Sequence, residues 1–189
     1  MPKQVDHEAR RRELVEASWD VIAREGIEGT TLRKVAAAAD CTTGRIAHYF
    51  SGRDELIRLA LRAANSAAGK RMVEIAKTES NAHERLRRVV YEGLPLDAAR
   101  LREWKVWIVF WAAAASNDDL ARENVRRYKE WQRLLSKLIS DVSGPDDADV
   151  HALTLVSLVD GLGIRTALVP SKSNRSLARA TVDNWIAGL

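Results

Sequence analysis

The chain has 189 residues, of which 46% are hydrophobic and 30% are charged, with a formal net charge of +4. This composition supplies one or two buried cores. The polar N-terminus and the lack of a run of 18 apolar residues argue against a signal peptide and a membrane span. A single cysteine excludes an internal disulfide and agrees with a reducing compartment. We therefore expect a soluble, cytoplasmic protein that does not contact a membrane.

An amphipathic helix is predicted from about Glu8 to Arg24, because apolar side chains recur there at helical spacing and Gly26 follows. The basic triplet at residues 10–12 lies near its start. These arginines are interpreted either as phosphate contacts of a basic arm or as an ordinary solvated helix end.

Two short helices joined by a tight turn are predicted within residues 31–56. Thr30 or Thr31 can cap the first helix, and the triplet at residues 40–42 interrupts it. Ile46 and Phe50 give the second helix an apolar side, so its polar side chains face outward. Such a helix-turn-helix places its second helix in the major groove of DNA. Cys41, in the turn, is either a small packed residue or a redox-sensitive thiol.

A long helix is predicted next, started by a capping box of Ser51 with Asp54 and reaching about Lys77. Polar breaks then predict helices at about 81–91, 97–115, 120–142 and 148–168, and a final helix after residue 173. No strand pattern competes, so the fold class is all-α with about nine helices. We expect a DNA-binding domain at residues 1–55, joined by the long helix to a helical bundle at residues 56–189.

Candidate DNA contacts are side chains that reach base edges or hold phosphates. Residues 1–58 carry ten basic and ten acidic side chains, but only Asp40 opposes the four basic residues between Gly29 and Arg53. This local excess permits attraction to phosphates. Arg33 and Arg45 can also form paired hydrogen bonds with guanine. The predicted DNA-binding residues are Thr31, Arg33, Lys34, Thr42, Thr43, Arg45, His48, Tyr49 and Arg53.

Aromatic side chains are concentrated in the predicted bundle. Trp104, Trp107 and Trp111 share one face of a helix, at about 100° per residue. These residues either line a ligand pocket, whose indole faces could hold a cation such as a quaternary ammonium, or simply form core. The predicted ligand-binding residues are Tyr91, Trp104, Trp107, Phe110, Trp111, Tyr128 and Trp131.

Two glycines, Gly161 and Gly163, interrupt the apolar helix predicted at residues 148–168. Each costs roughly 1 kcal/mol relative to alanine in a helix interior, so close approach of another group should offset this loss. That group is either a helix of a partner subunit or a side chain of the same chain.

The signature T-x-x-x-V-A-x-x-A-x-x-T-x-G-x-I-x-H-Y-F-x-x-R-D-E-L, within residues 31–56, resembles that of TetR-family transcriptional regulators. The downstream stretches W-K-V-W-I-V-F-W-A and L-V-D-G-L-G-I-R-T-A-L resemble the C-terminal domain of the BetI-like branch, which includes choline-sensing repressors. The chain departs from the family pattern at Asp40, where glycine is usual, at Cys41, where valine is usual, and at Ala47, where many members have tyrosine. The last departure removes a phosphate contact, and we expect Asp40 simply to end its helix.

The resemblance implies a homodimer that binds double-stranded operator DNA and responds to an unknown small-molecule inducer. It places Arg53 at a phosphate-binding position, and it implies a dimer interface that includes Leu155, Leu158, Leu162, Arg165 and Trp185. The expected function is a repressor released from a palindromic operator by ligand. The alternatives are a helical adaptor for protein partners and a small-molecule carrier or enzyme. No catalytic arrangement, metal-ligand spacing or cofactor motif is found in the sequence, so we expect no enzyme activity, metal or cofactor.

Overall fold

The computed structural model describes residues 7–189, without the side chain of Asn65. In this part of the chain nine α-helices follow one another and no strand occurs, which confirms the predicted fold class. The polar stretch at residues 1–6, on which the expected lack of a signal peptide partly depends, lies outside the described residues. The helices are α1 His7–Gly29, α2 Leu32–Ala38, α3 Thr43–Tyr49, α4 Arg53–Thr78, α5 Ala82–Glu92, α6 Ala98–Ala114, α7 Asp118–Ser143, α8 Ala148–Leu168 and α9 Lys172–Ile186.

Side-chain caps fix where most of these helices begin. In six helices, the residue before the first turn accepts a hydrogen bond from a backbone N–H of that turn. The predicted caps at Asn81 and Asp97 are confirmed, with their side chains bonded to the N–H groups of Glu84 and Arg100 at 2.9 and 2.8 Å. The six caps are Thr31, Thr42, Asn81, Asp97, Asn117 and Ser171.

The predicted capping box at the start of α4 is wrong in its second residue. Gly52 occupies the cap position and makes no side-chain bond. The backbone N–H and the hydroxyl of Ser51 instead donate to the carboxylate of Glu55, at 2.7 and 2.8 Å. Because α4 starts one residue later than the pattern predicts, Glu55 rather than Asp54 comes within reach of Ser51.

α1 extends beyond its predicted end. Gly26, at φ 71° and ψ 178°, interrupts the regular helix, and one further turn follows as far as Gly29. The hydroxyl of the buried Thr30 donates to the Gly26 carbonyl at 2.7 Å, which closes this turn. Gly26 therefore marks a kink in α1, because a positive φ suits glycine and the chain resumes a helical path after it.

Buried apolar side chains form two clusters, here called the N-terminal core and the C-terminal core. The N-terminal core contains residues of α1, α2 and α3, the first half of α4 as far as Ala64, and Val106 and Phe110 of α6. The C-terminal core contains Trp104 of α6 with residues of α4, α5, α7, α8 and α9. Trp107 and Trp111 pack against both. The N-terminal core therefore extends past residue 55, and one helix, α6, belongs to two cores.

Polar contacts hold α6 against α1. The guanidinium of Arg102 bonds Asp20 at 2.6 Å and the Glu16 carbonyl at 2.6 Å, and it lies 5.3 Å from the centre of the Trp19 ring. The Trp19 indole N–H in turn donates to the Ala60 carbonyl of α4 at 3.0 Å. These contacts place α6 directly behind the N-terminal domain.

A second set of ion pairs joins α4, α5 and α6. Arg71 forms a bidentate pair with Glu103, at 2.9 and 2.8 Å, and a further bond to Glu92 at 2.6 Å. Glu103 is only 4% exposed, so removing Arg71 would leave a buried carboxylate without its partner. The pairs fix the middle of α4 against the start of α6.

α8 is long and apolar enough, by length and composition alone, to cross a membrane, with a mean hydropathy of 1.2 over its best 18-residue window. Eight of its residues are nevertheless buried within the chain, and it packs against α7 and α9. Within this structure α8 is therefore a packed helix of the bundle.

The two glycines of α8 have different surroundings. A Cβ added at Gly163 would lie 2.0 Å from the Trp104 ring, whereas one added at Gly161 would meet nothing within 4 Å. Of the two alternatives for these glycines, close packing within the same chain therefore holds for Gly163. Gly163 leaves room for the Trp104 indole, whose N–H donates to the Gly93 carbonyl at 3.0 Å.

We expect Gly163→Ala to destabilise the protein by about 2 kcal/mol or more, because the added methyl group must displace a fully buried indole. Gly161→Ala, the matched control on the same helix, should be neutral or stabilise the subunit by about 1 kcal/mol. Urea unfolding followed by circular dichroism measures both changes. Equal effects of the two substitutions would contradict this packing.

Candidate DNA-binding surface and ligand cavity

α2, the turn at residues 39–42 and α3 form an exposed polar surface on the N-terminal core. Val35 and Ile46 are fully buried and anchor the two helices, while Arg33 and Arg45 point outward and are exposed. The cap residue Thr42, like Thr43 and His48, is exposed as well. The second helix of a helix-turn-helix therefore presents two hydroxyls, a guanidinium and an imidazole to a partner, as major-groove recognition requires.

Asp40 ends α2 in the left-handed region, at φ 48°. The following N–H, of Cys41, bonds back to the Ala36 carbonyl at 2.9 Å, which closes the helix end. A left-handed residue at this position explains why the resembled family usually has glycine there, because glycine adopts positive φ without a steric penalty.

Two of the predicted DNA-binding residues, Arg53 and Lys34, form hydrogen bonds within the N-terminal domain. The Nε of Arg53 donates to the Thr30 carbonyl at 2.6 Å, and its guanidinium also bonds the Ile27 carbonyl. Lys34 pairs with Glu25, and its ammonium donates to the Gly29 carbonyl at 2.9 Å. Both side chains thus hold the connection between α1 and α2, which sequence reasoning did not foresee because the acceptors are backbone carbonyls.

The first turn of α1 lies beside α3. The imidazole of His7 is centred 4.8 Å from the Tyr49 ring and 5.3 Å from the His48 ring. Arg10 and Arg45 border the same shallow depression. Arg11, by contrast, stacks on the Phe50 ring, so the basic triplet divides between surface and structural contacts. Sequence reasoning missed His7 as a neighbour of the recognition helix.

A cavity of about 930 Å³ opens between α4, α6, α7 and α8 in the bundle. Its aromatic wall consists of five predicted residues, namely Trp104, Trp107, Trp111, Tyr128 and Trp131. Trp104 contacts Trp107 and Trp111 with ring centres 5.4 and 5.5 Å apart, and Trp111 stacks on Tyr128 at 6.4 Å. The tryptophans therefore line a cavity and also pack against both cores.

The other two predicted ligand contacts lie outside this cavity. Phe110 is 1% exposed and belongs to the N-terminal core. Tyr91 lies between α5 and α9, where its hydroxyl donates to Asp183 at 2.5 Å. Helical periodicity cannot separate the two faces of α6, because both are apolar.

The carboxyl group of Asp160 lies beside an aromatic side chain of the cavity, that of Tyr128. It accepts a hydrogen bond from the Tyr128 hydroxyl at 2.7 Å. Burial raises the pKa of Asp160, which the bond from Tyr128 only partly opposes. Burial and the neighbouring carboxylate likewise raise the pKa of the Tyr128 hydroxyl. A partly buried carboxylate beside indole faces matches the chemistry that attracts an organic cation.

The predicted dimer residues fall on two sides of α8. Leu155 is wholly buried in the chain's own core and offers no surface to a second copy, and Leu158 and Leu162 are half-buried. Arg165 is exposed, and Trp185 packs edge-on against His151 at 6.0 Å. The sequence could not show which apolar face of α8 turns outward, because this helix is apolar nearly all round.

An exposed stripe runs along the opposite face of α8, with positions spaced three or four residues apart. Its apolar members are 38–67% exposed, and Gly161 lies in the middle with open space before it. The exposed α8 stripe consists of Val150, Leu153, Ser157, Gly161, Ile164 and Leu168.

Comparisons with known proteins agree with this architecture. The profile described as bacterial regulatory proteins, tetR family, matches residues 14–60, and that of the BetI-type transcriptional repressor C-terminal domain matches residues 82–189. The HTH-type transcriptional regulator PksA of Bacillus subtilis is 32% identical over 96% of this chain and 90% of its own. BetI of Paraburkholderia xenovorans is 31% identical over 98% of this chain and 96% of its own.

Solved structures show the same arrangement of helices. A transcriptional regulator from Rhodococcus sp. Rha1 superposes with a TM-score of 0.81, at 29% identity over 94% of both chains. A transcriptional regulator from Saccharomonospora viridis, solved in complex with choline, gives 0.84 at 26% identity over 95% of this chain and 96% of its own. The chain thus belongs to the TetR family, with a C-terminal domain of the BetI type, and is a DNA-binding transcriptional regulator rather than an enzyme.

Proposed function

We propose that this protein acts in the cytoplasm as a homodimeric repressor, which leaves a palindromic operator when a cationic small molecule binds in the aromatic cavity. The observation that carries the ligand part is Asp160, a partly buried carboxyl group that accepts a hydrogen bond from a tyrosine hydroxyl and lines the same cavity as the indoles. A ligand cation would stabilise the ionised carboxylate and stack on the indole faces. The choline found in the related Saccharomonospora viridis regulator supports this class of ligand.

Dimer formation through the exposed α8 stripe would give the operator its symmetry. Contiguous exposed apolar side chains of this kind mark interaction sites, and Gly161 permits close approach of a second helix. Leu177 of α9, 46% exposed, adds to the apolar surface. Two recognition helices related by twofold symmetry would enter major grooves about 34–36 Å apart.

α6 supplies the connection between ligand and DNA. A ligand stacked on Trp107 and Trp111 touches the face of α6 that borders the cavity, while Val106 and Phe110 on the same helix lie in the N-terminal core. A small shift of α6 would therefore alter the support of α1 and α4, and hence the position of α3. Typical coupling energies of about 1–3 kcal/mol suffice for a 5- to 150-fold change in operator affinity.

Arg45→Ala should weaken operator binding about tenfold or more without changing thermal stability, because Arg45 is exposed and points away from the core. Footprinting and fluorescence anisotropy on the intergenic DNA that flanks the protein's own gene, at two salt concentrations, measure this loss. Arg122→Ala, which removes the same charge from an exposed position near the start of α7, outside the helix-turn-helix, should leave binding unchanged. Arg53→Ala should instead lower the melting temperature. Full operator affinity in the Arg45 variant would contradict the assignment of α3.

Leu168→Glu should convert the dimer to a monomer and abolish cooperative binding to a palindrome, because it replaces the most exposed apolar side chain of the stripe by a charge. Sedimentation equilibrium gives the oligomeric state directly. Val125→Glu, at a 53% exposed apolar position of α7, is the matched control and should stay dimeric. A dimeric Leu168 variant would show that the subunits meet elsewhere.

Asp160→Asn should stabilise the ligand-free protein near neutral pH and weaken choline binding about tenfold or more. The pKa of Asp160 is higher in the folded than in the unfolded chain. The fold therefore becomes more stable as the pH falls toward the unfolded pKa and the carboxyl group is protonated. At higher pH the ionised carboxylate makes the folded state less stable. Asparagine removes this dependence on pH. Thermal melts from pH 4 to 8 and titration calorimetry with choline, alongside the exposed Asp146→Asn as control, test both effects. Lower stability at neutral pH combined with unchanged choline affinity would contradict the proposal.

A further inference from the structure

The cavity has a second polar region, at a different place from Asp160. Arg62 of α4 and Arg126 and Arg127 of α7 line it, and the cavity of about 930 Å³ is at the large end for small-molecule sites. A trimethylammonium group stacked on the indoles would fill only a small part of this volume. The remaining space, with its three guanidinium groups, belongs to the rest of the ligand.

Positive charge exceeds negative charge in this region. Glu123 is shared by Arg126, at 2.7 Å, and Arg127, at 3.6 Å, and Glu130 is the other carboxylate acting on Arg127. Three guanidinium groups therefore face two carboxylates, which leaves a surplus of one positive charge. Asp160 leaves one negative charge at the aromatic end when it is ionised. The cavity is thus bipolar, since the opposed charges of Lys70 and Glu74 balance at its rim.

Arg127 is held in place but weakly paired. Its guanidinium lies 5.1 Å from the centre of the Phe110 ring and donates to the Leu61 carbonyl at 3.3 Å. Both this bond and the 3.6 Å contact with Glu123 are longer than the ~2.7–2.9 Å of a good charge-assisted hydrogen bond. Burial lowers the pKa of Arg127 to about 10, and Arg126 and Arg62 act in the same direction, against Glu123 and Glu130. An added anion would therefore be favoured here.

The two charged regions are separated around α7. Arg127 and Tyr128, the hydrogen-bond partner of Asp160, are consecutive residues, and consecutive side chains leave a helix about 100° apart. A ligand that contacts both regions with different groups therefore needs a spacer between those groups.

We propose that the effector is a zwitterion, whose cationic group stacks in the aromatic wall at Asp160 and whose carboxylate or other acidic group binds Arg127 with Arg126 and Arg62. This inference rests on the cation site of the proposed function and adds the chemistry of the opposite end. The acidic group would contact the arginine that lies on Phe110 and bonds Leu61, both of which belong to the N-terminal core. The acidic end of the ligand would therefore bind a side chain that contacts the N-terminal core.

Titration calorimetry on the full-length dimer tests the proposal with two matched series. One series consists of ω-trimethylammonio carboxylates with one to nine methylenes between the charged groups. In the other series a neutral CH2OH group replaces each carboxylate, and the number of methylenes before it is the same. We expect the shortest pair to bind equally, and the carboxylate to bind about tenfold more tightly than its alcohol once the spacer is long enough. The length at which the gain appears measures the distance between the two regions.

Arg127→Gln should abolish the carboxylate's advantage while leaving the affinity of the alcohols unchanged. Because Arg127 also packs on Phe110, Arg126→Gln serves as a second variant at an exposed position and should reduce the advantage about threefold. Equal affinity of carboxylates and alcohols at every length, with the alcohols bound, would overturn the inference and leave the cation site standing. Failure of every compound to bind would overturn both. A carboxylate advantage that persists in both variants would also overturn the inference.

Discussion

Membership of α6 in two cores is the constraint on which the rest of the structure depends. Val106 and Phe110 fill the N-terminal core, Trp104 fills the C-terminal core, and the tryptophans between them touch both. The helix cannot move in response to a ligand without changing the packing behind the recognition helix, because protein interiors are close-packed and transmit displacement. The ion pairs of Arg102 with α1 and of Glu103 with α4 strengthen this connection. The long helix α4 also joins the two domains, but it shares this role with α6.

Several features of the molecule are unfavourable for the stability of the ligand-free subunit and agree with a binding function. Asp160 is a partly buried carboxyl group whose pKa is raised by desolvation, and the Trp107 indole N–H is buried with no hydrogen-bond partner among the described residues. The exposed α8 stripe leaves large apolar side chains in water. Local departures from optimal stability concentrate at functional sites, and each of these three lies where a ligand or a second subunit would bind.

Much of the fold could be predicted from the sequence, because helix caps and apolar periodicity are local signals. The ends of α8 and the caps at Asn81 and Asp97 are examples. The predictions that went wrong concern tertiary position. Phe110 and Leu155 lie on helices that are apolar nearly all round, so periodicity could not tell a cavity, a core and an interface apart. Arg53 and Lys34 donate hydrogen bonds to backbone carbonyls of the connection between α1 and α2. A pattern of side chains in the sequence cannot predict such acceptors.

The charged half of the cavity was missed for a related reason. Arg127 lies on a helix whose other charged residues are mostly exposed, and only the packing of Phe110 and Leu61 around it shows that its side chain is largely buried. Asp160 is a polar residue in an otherwise apolar stretch of α8, but its place in the cavity beside the tryptophans depends on how α7 and α8 pack. Both residues carry an ionisable group in an apolar environment. That environment is created by the packing of the helices, so it can be recognised only when the fold is known.

The most direct test of the account is the affinity of one ligand for two states of the protein. The tightest-binding trimethylammonio compound would be titrated into the free protein and into the protein bound to its operator, at the same salt concentration. If α6 couples the cavity to the recognition helix, the ligand must bind the operator-bound protein at least about fivefold more weakly, which corresponds to about 1 kcal/mol of coupling. Equal affinity for the two states would contradict the account, because a ligand that does not distinguish them cannot release the DNA.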